Sequence, residues 1–307
     1  MERLVVIGSF SLYWITAAAA GTESVLEVEL DHLVQLPAVK VDGQPIRIHT
    51  QGLFVDAWHI YVTGRLESRP KRPLLVRFER ANPARYEVLD LTLHESEGPT
   101  GQLDHPGGFD FDGRDFWIPV ARSKPAGPSA IVRIRRDTTR PLREWSPQVA
   151  FVVDDHIGAI AFERASQRLY GANWDTRNIH IWQADGTPLE TITRDAWIRT
   201  EPKWHIAVQD WKGVTSDWIG SPGAIVASGI DKSLSRDRNQ SPARIEFYSP
   251  DRRERLARVH LPSAPGRSGL LTREGMCLHG NWLVLLPDDL SEGANLYFYR
   301  PVRPSIP

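Results

Sequence analysis

The sequence predicts an all-β protein, and within that class a five-bladed β-propeller. Short apolar segments recur in groups of four, each group opens on a glycine, and the last group has only three segments. The leading glycines are 56, 50, 55 and 62 residues apart, counted through Gly52, Gly108, Gly158, Gly213 and Gly275. Four short strands in a period of this length are typical of a propeller blade. Six blades are the alternative.

The clearest copy of the repeat is DHPGGFDFDGRDFWIPVAR, residues 104–122. A glycine pair precedes a short strand, Asp112-Gly113 makes a tight turn, and a second strand follows. Trp58, Trp117 and Trp282 stand at or near the start of second strands and predict core positions. The predicted strands are 52–56, 58–64, 74–80 and 86–93; 107–112, 115–122, 129–135 and 147–154; 158–162, 168–174, 178–183 and 188–193; 213–216, 224–230, 244–249 and 256–261; and 275–279, 282–287 and 296–300.

The strand that the last copy lacks is predicted at the other end of the chain. Apolar and acidic residues alternate over 26–31, which indicates a half-exposed strand within 26–33. Pairing of this strand with the last one would complete the final blade and close the ring. Residues 195–212 are predicted to form a connection.

The first twenty residues predict an export signal. Arg3 precedes an apolar run over 4–15, and Ala18 and Ala20 fit a small-residue cleavage site. We therefore expect a signal peptide over 1–20, a single propeller domain over 21–307, and a periplasmic or secreted protein without a stable membrane span after cleavage. An uncleaved anchor is the alternative.

Composition limits the partners. The formal net charge is −1, and the basic runs have no interleaved aromatic residues, so we expect no nucleic-acid partner. The single cysteine, Cys277, excludes an intramolecular disulfide and a cysteine-based metal cluster. We expect a monomer that binds a small molecule or carbohydrate.

Two short motifs resemble known propeller families. HPGGFDFDG over 105–113, followed by FWIPV, is similar to the blade motif of NHL-type propellers and to exported bacterial propellers with an HPGG motif. Arg273-Glu274-Gly275-Met276 resembles the Glu-Gly motif of regucalcin/gluconolactonase and esterase-like phytase propellers. That resemblance implies a metal-ligand or site role for Glu274. The lactonase families have six blades and Asn/Asp partners, whereas five copies with histidines are counted here.

Blade geometry predicts where a site would lie. In an antiparallel blade, the start of the first strand and the end of the second share one face of the disc. Residues before the leading glycines should therefore converge on a central mouth. The predicted catalytic residues are His105, His156, Asp210 and Glu274, and the predicted substrate-binding residues are Gln51, Arg65, Arg122, Asn173, Trp174, Asp175, Asp231, Lys232 and Asp288.

The residue types at this mouth suit metal-assisted hydrolysis. His105, His156 and Glu274 are the candidate ligands of one divalent metal, calcium or zinc. A lactonase- or esterase-like hydrolase is one hypothesis, and a non-catalytic binding propeller is the alternative. A second alternative is a glycosidase that uses Asp210 and Glu274 as its carboxylate pair. P-loop, Rossmann, zincin and nucleophile-elbow motifs do not occur in the sequence.

Overall fold

The computed structural model describes residues 24–41, 43–93, 103–201, 204–214, 218–234, 242–264, 269–291 and 293–302. The predicted signal peptide over 1–20 lies outside the described residues. The strands are β1 Ser24–Leu36, β2 Lys40–Val41, β3 Gln44–Pro45, β4 Ile48–Val55, β5 His59–Leu66, β6 Arg72–Glu79, β7 Asn82–Asp90, β8 His105–Pro106, β9 Asp110–Phe111, β10 Asp115–Ala121, β11 Ser129–Arg135, β12 Gln148–Val153, β13 Ile157–Glu163, β14 Arg168–Asn173, β15 Asn178–Gln183, β16 Pro188–Thr193, β17 Ile206–Gly213, β18 Ile225–Asp231, β19 Ala243–Ser249, β20 Glu254–His260, β21 Gly275–His279, β22 Trp282–Leu286 and β23 Ala294–Pro301.

Helical structure is slight in the described ranges. It comprises the 3-10 turns Leu142–Glu144 and Trp174–Thr176 and the single-turn helix α1, Arg194–Trp197. No helix found there has both the length and the apolar character needed to cross a bilayer. The prediction of an all-β propeller is confirmed.

Consecutive strands pair into antiparallel groups. Groups β4–β7, β8–β12 and β13–β16 are separate sheets, while β17–β20 and β21–β23 are joined through β1 into an eight-stranded sheet. Over the described residues, the strands of the propeller thus fall into five groups. For the complete chain, the count of five blades stays a prediction.

The N-terminal strand completes the last group, as predicted. Over 28–36, β1 runs antiparallel to β23, and Leu30 faces Tyr299 in this register. Its first four residues instead run parallel to β20, from Ser24 opposite Ala257 to Glu27 opposite His260. One strand therefore covers the outer edges of two neighbouring groups, which leaves fewer unpaired backbone groups at the junction.

The apolar core lies between the faces of neighbouring groups. Five buried clusters each draw their members from two adjacent groups of the described strands. Trp117 is buried among them, as predicted, and Trp282 is half-buried. The prediction for Trp58 is wrong, because its side chain is 74% exposed at the tip of the turn between β4 and β5.

Two buried aspartates link the innermost strands around the axis. Asp110 accepts backbone N–H bonds from β13 at 2.9 Å and from β17 at 2.7 Å. Asp210 accepts them from β4 at 3.1 Å and from β21 at 2.9 Å. Lys212 donates to Asp210 and, at 2.5 Å, to the carbonyl oxygen of Phe109. These contacts satisfy the buried charges and reach every group of strands.

The fourth group differs most from the sequence prediction. Its innermost strand is β17, which ends at Gly213, whereas the sequence predicts a connection over 195–212 and a strand that begins at Gly213. A Cβ at Gly213 would lie 2.0 Å from the carbonyl oxygen of Phe162, so the glycine permits the close approach of β13. The corrected register moves Asp210 from the predicted mouth to the middle of an innermost strand, where it is fully buried.

Asp112 has a local structural role in the clearest repeat. Asp112 begins the predicted turn, and its carboxylate accepts backbone N–H bonds from Arg114 and Asp115, both at 2.7 Å. Its second oxygen accepts the indole N–H of Trp117 at 2.8 Å. The Asp112-Gly113 turn is thereby fixed by local hydrogen bonds.

Candidate functional site

A cavity of about 270 Å³ opens where the first strands begin and the second strands end. Its position agrees with the predicted central mouth. Its wall is formed by His49, Gln51, His105, His156, Gly158, Asn173, Trp174, Asp175, Val208, Gln209, Ile230, Arg273 and Glu274. Imidazoles, amides and carboxylates from all five groups of strands thus surround one volume large enough for a small molecule.

One side of the mouth holds three metal-type donors. Ligand atoms of His49, Glu274 and Asp289 all lie within 4.8 Å of one another. His49 Nδ1 donates to Asp289 at 2.8 Å, and Arg47 donates to the same carboxylate at 2.9 Å. Burial alone would raise the pKa of Asp289, but the hydrogen bonds from His49 and Arg47 lower it to about 2. Asp289 is therefore an anion beside His49 at neutral pH.

Glu274 is the buried carboxylate of this cluster. It is 3% exposed, and Arg273 lies 3.2 Å away from one of its oxygens. Burial raises the pKa of Glu274 well above its ordinary range, and the nearby charges of Asp289 and Asp288 act in the same direction against Arg273. A carboxyl group in this environment takes a proton or a cation readily.

Next to His49, His105 packs in the middle of the wall. The ring centroids of the two histidines are 6.4 Å apart, and Arg65 Nη1 lies 3.3 Å from His105 Nδ1. Burial is the largest cause that lowers the pKa of His105, to about 3, and the positive charge of Arg65 acts in the same direction. His105 is therefore neutral at physiological pH.

His156 continues the row of imidazoles. Its centroid is 5.6 Å from that of His105, and its Nδ1 donates to the carbonyl oxygen of Lys124 at 2.6 Å. Trp174 packs edge-on against the ring at 4.8 Å. Burial lowers the pKa of His156 although the carbonyl bond to Lys124 opposes the shift. This imidazole is also held neutral and in one orientation.

Asp155, behind the wall, orients two of its members. Its carboxylate accepts the backbone N–H of His156, the amide N–H of Asn173 and a ring N–H of His180, each at 2.8 Å. Asn173 in turn accepts the N–H of Asn178 at 2.8 Å, which fixes its amide orientation. The wall is pre-arranged by hydrogen bonds beyond the cavity.

The far wall contains a strained turn. Asp175 and Thr176 have φ values of 60° and 51°, in the left-handed region that non-glycine residues seldom adopt. The Thr176 hydroxyl accepts the backbone N–H of Val208 at 2.9 Å, and Asp175 pairs with Lys232 at the rim. These two contacts hold the strained turn in place, and with it Trp174 and Asp175 in the cavity wall.

The structure brings together seven of the predicted site residues. The cavity wall includes Gln51, His105, His156, Asn173, Trp174, Asp175 and Glu274. Six others lie outside the wall among the described residues: Arg65, Arg122, Asp210, Asp231, Lys232 and Asp288. Arg65 contacts His105 and Lys232 contacts Asp175, whereas Asp231 pairs with Arg244 at 3.6 Å and the Asp288 carbonyl accepts the Thr50 hydroxyl at 3.0 Å.

His49 and Asp289 are the site residues that the prediction missed. His49 precedes the predicted first strand, which starts at Gly52, whereas β4 begins at Ile48. The available signal is the apolar–polar alternation Ile46-Arg47-Ile48-His49 before Gly52, which is typical of a strand. Asp289 follows β22 next to Asp288, and only the fold shows which of the two faces His49.

A larger cavity of about 480 Å³ lies away from the mouth, beside β6 and β7. Its charged groups pair with each other: Arg77 donates to Glu87, and Arg85 lies 3.6 Å from Glu79. We regard the smaller cavity as the candidate site, because metal-type donors and strained backbone both line it.

Comparisons with known proteins give the fold and leave the activity open. Residues 90–231 match the model of DUF6454, a family of unknown function. No curated protein sequence matches the chain. A solved structure from the GH130 family, described as containing glycoside hydrolases that target β-1,2-mannosidic linkages in Candida mannan, is 10% identical, with 86% of this chain and 88% of that chain covered and a TM-score of 0.50.

Two further solved structures are similar. A candidate glycosidase from Bacteroides thetaiotaomicron is 10% identical over 84% of this chain and 88% of that chain, with a TM-score of 0.50. A calcium-binding regucalcin from Agrobacterium tumefaciens is 10% identical over 92% and 97%, with a TM-score of 0.48. At these identities the likeness concerns the propeller fold alone.

Proposed function

We propose that this protein is a hydrolase of small polar molecules, and that it uses a divalent cation held at the mouth by His49, Glu274 and Asp289. The observation that carries the proposal is the convergence of three donor atoms within 4.8 Å at a cavity lined by two further imidazoles. Such a constellation exceeds what a purely structural face of a propeller needs.

The donor set fits a catalytic metal better than a structural one. One imidazole nitrogen and two carboxylates leave coordination positions open, as catalytic zinc sites do. Calcium prefers six to eight oxygen ligands, so a site with a histidine favours zinc or another transition metal. The contact between His49 Nδ1 and Asp289, at 2.8 Å, places two of the three donors side by side.

The residues of the chain divide the work of the proposed reaction. When bound, the cation would polarise a carbonyl or phosphoryl oxygen and acidify a water molecule. Glu274 holds a proton or the cation at the floor, and its neighbour Arg273 limits the build-up of negative charge.

Other residues of the cavity wall are suited to bind a hydroxyl-rich ligand. Gln51, Asn173 and Gln209 present amide groups, and Trp174 presents an aromatic ring, in the same volume. An amide group can both donate a hydrogen bond to a hydroxyl group and accept one from it, and aromatic faces pack on the apolar faces of sugars. We therefore include a carbohydrate or sugar derivative among the substrates that this proposal covers.

The predicted glycosidase pair has less support. Asp210 is fully buried, and its oxygens accept bonds from Lys212 and from the backbone of three strands. It has no free oxygen with which to act on a substrate beside Glu274. A binding propeller without catalysis remains the second candidate, favoured by the oriented amide of Asn173.

Metal analysis of the purified mature chain, residues 21–307, tests the proposal most directly. We expect about one equivalent of zinc or a similar metal after reconstitution, a higher melting temperature with metal, and hydrolysis of 4-nitrophenyl acetate or a sugar lactone that a chelator abolishes. His49→Gln and Glu274→Gln should each weaken metal affinity by more than about 10–100-fold, the usual cost of losing a partner that only supports a ligand.

His260→Gln is the matched control, because His260 is exposed and contacts Glu27 on the outer strands. It should bind metal as the wild type does. Absence of metal binding by the wild type contradicts the proposed site. Metal or sugar binding without turnover of any ester or lactone favours the binding propeller.

A further inference from the structure

The histidines of the cavity wall differ in the partners of their Nδ1 atoms. His49 Nδ1 lies 2.8 Å from the carboxylate of Asp289, and His156 Nδ1 lies 2.6 Å from the carbonyl oxygen of Lys124. Both partners accept hydrogen bonds, so both Nδ1 atoms carry hydrogen. A hydrogen on Nδ1 leaves Nε2 as the ring nitrogen through which His49 or His156 can offer a lone pair to a cation.

His105, between them, has the opposite arrangement. Its Nδ1 lies 3.3 Å from Nη1 of Arg65. A guanidinium group only donates, so Nδ1 of His105 accepts and has no hydrogen. An imidazole with a bare Nδ1 is neutral and carries its hydrogen on Nε2.

Arg65 is itself held firmly. Its Nε and Nη2 donate to Glu67 at 2.8 Å and 2.6 Å, and Nη1 also donates to the hydroxyl of Ser123. That hydroxyl donates to Asp104 at 2.8 Å, and Lys71 lies 3.4 Å from Glu67. The guanidinium plane is therefore fixed by partners on two groups of strands, and it has little freedom to release His105.

We propose that Arg65 fixes His105 as the hydrogen-bond donor of the mouth, while His49 supplies the lone pair for the metal. This assignment deepens the function proposed above and rests on it for its chemical consequence. It differs from the sequence prediction, in which His105 was a metal ligand, because the nitrogen that faces Arg65 decides the tautomer.

His105 and His49 therefore have different roles in the proposed reaction. The ring of His105 lies 6.4 Å from that of His49, so a substrate oxygen near the metal donors is also near His105. A hydrogen bond from Nε2 would stabilise the negative charge that develops on this oxygen when water attacks the adjacent carbon or phosphorus. His105 keeps its proton throughout, and no covalent bond forms to it.

Long-range ¹H–¹⁵N spectra of the histidine-labelled metal-free protein at pH 7.5 test the assignment, because ¹⁵N shifts separate the two tautomers. The His105 signals, assigned from their loss in His105→Ala, should show hydrogen on Nε2. His49 should show hydrogen on Nδ1. A His105 with hydrogen on Nδ1 overturns the proposal, whether or not any metal binds.

Variants of Arg65 supply the second measurement. Arg65→Met should shift His105 toward the Nδ1–H tautomer and lower kcat for 4-nitrophenyl acetate by about tenfold with little change in KM. Arg65→Lys keeps a donor and should preserve the tautomer and kcat. His105→Ala should lower kcat by about 100-fold, the usual effect of removing one oxyanion donor. Arg85→Met removes an exposed arginine elsewhere and is the control.

The two proposals fail separately. An unchanged tautomer in a folded Arg65→Met protein overturns the role of Arg65 while metal binding stands. If the wild type neither binds metal nor hydrolyses the ester, the proposed function fails, and the tautomer spectra still decide the arrangement of the three histidines.

Discussion

The axis of this propeller contains two sets of buried ionisable groups that differ in how they are paired. In the interior, Asp110, Lys212 and Asp210 engage one another and the backbone of neighbouring strands. At the mouth, His49 and Glu274 keep donor atoms that face a cavity. Both sets sit on or near the innermost strands, so burial alone does not distinguish structure from function.

The difference lies in which hydrogen-bonding positions the chain itself fills. The interior carboxylates receive three or more bonds each from the protein, which stabilises their charge and connects the groups of strands. The mouth groups are oriented by protein on one side only. A buried polar group that is oriented and incompletely paired therefore marks the better candidate for chemistry.

The largest effect is expected from the interior lysine. Lys212→Met leaves two buried carboxylates without their cation and should lower the free energy of unfolding by about 3–5 kcal/mol. Denaturant unfolding monitored by tryptophan fluorescence measures this change. If Lys212→Met does not fold, Asp210→Asn should still show a large loss. A loss below about 1 kcal/mol in both variants would remove the distinction between the two sets.

Acid should lower the free energy of unfolding, in part because His105 is buried as a neutral imidazole. Its pKa is about 3 in the folded protein, against about 6.5 when unfolded, so the unfolded chain binds more protons between these values. Stability should fall as pH drops through this window, by at most about 1.4 kcal/mol per pH unit from this group. Between pH 7.5 and pH 5, the free energy of unfolding measured with urea should fall less in His105→Gln than in the wild type. An equal fall in both proteins would contradict the buried environment of His105.

A smaller effect on stability is expected at Glu274. Glu274→Gln removes a buried carboxyl whose one ion-pair partner within the described ranges is Arg273, so the free energy of unfolding should change by about 1 kcal/mol or less, in either direction. Metal-dependent activity should be lost in the same protein. Unfolding and hydrolysis assays on one preparation measure both. A loss of stability as large as that of Lys212→Met would place Glu274 with the interior set.

The smallest effect is expected from the rim lysine. Lys232 pairs with Asp175 much as Lys212 pairs with Asp210, but its side chain is 51% exposed compared with 3%. An exposed ion pair contributes about 0–1 kcal/mol, so Lys232→Met should change the free energy of unfolding by about 0.5 kcal/mol or less. The same unfolding assay provides a matched comparison of two Lys–Asp pairs. A loss of unfolding free energy as large as that of Lys212→Met would show that the ion pair at the rim contributes as much to stability as the pair in the interior.

Much of the repeat was predictable because its signals are local. Alternation of apolar residues indicates strands, and Asp112-Gly113 indicates a turn whatever the rest of the chain does. The pairing of the first strand with the last followed from counting strands. The strand β17 was missed because Asp210 and Lys212 place charge inside it, and no local pattern shows that partners from other strands will satisfy them.

The sequence by itself determined the fold class, the closure of the last group and the face on which His105, His156 and Glu274 meet, since these depend on periodicity and antiparallel order. Only the tertiary structure decided that Asp210 belongs to the interior and His49 to the mouth, because each is defined by contacts with residues more than 150 positions away. Hydrogen-bond partners that distant leave no trace in local sequence, yet they determine which buried groups are satisfied and which remain available.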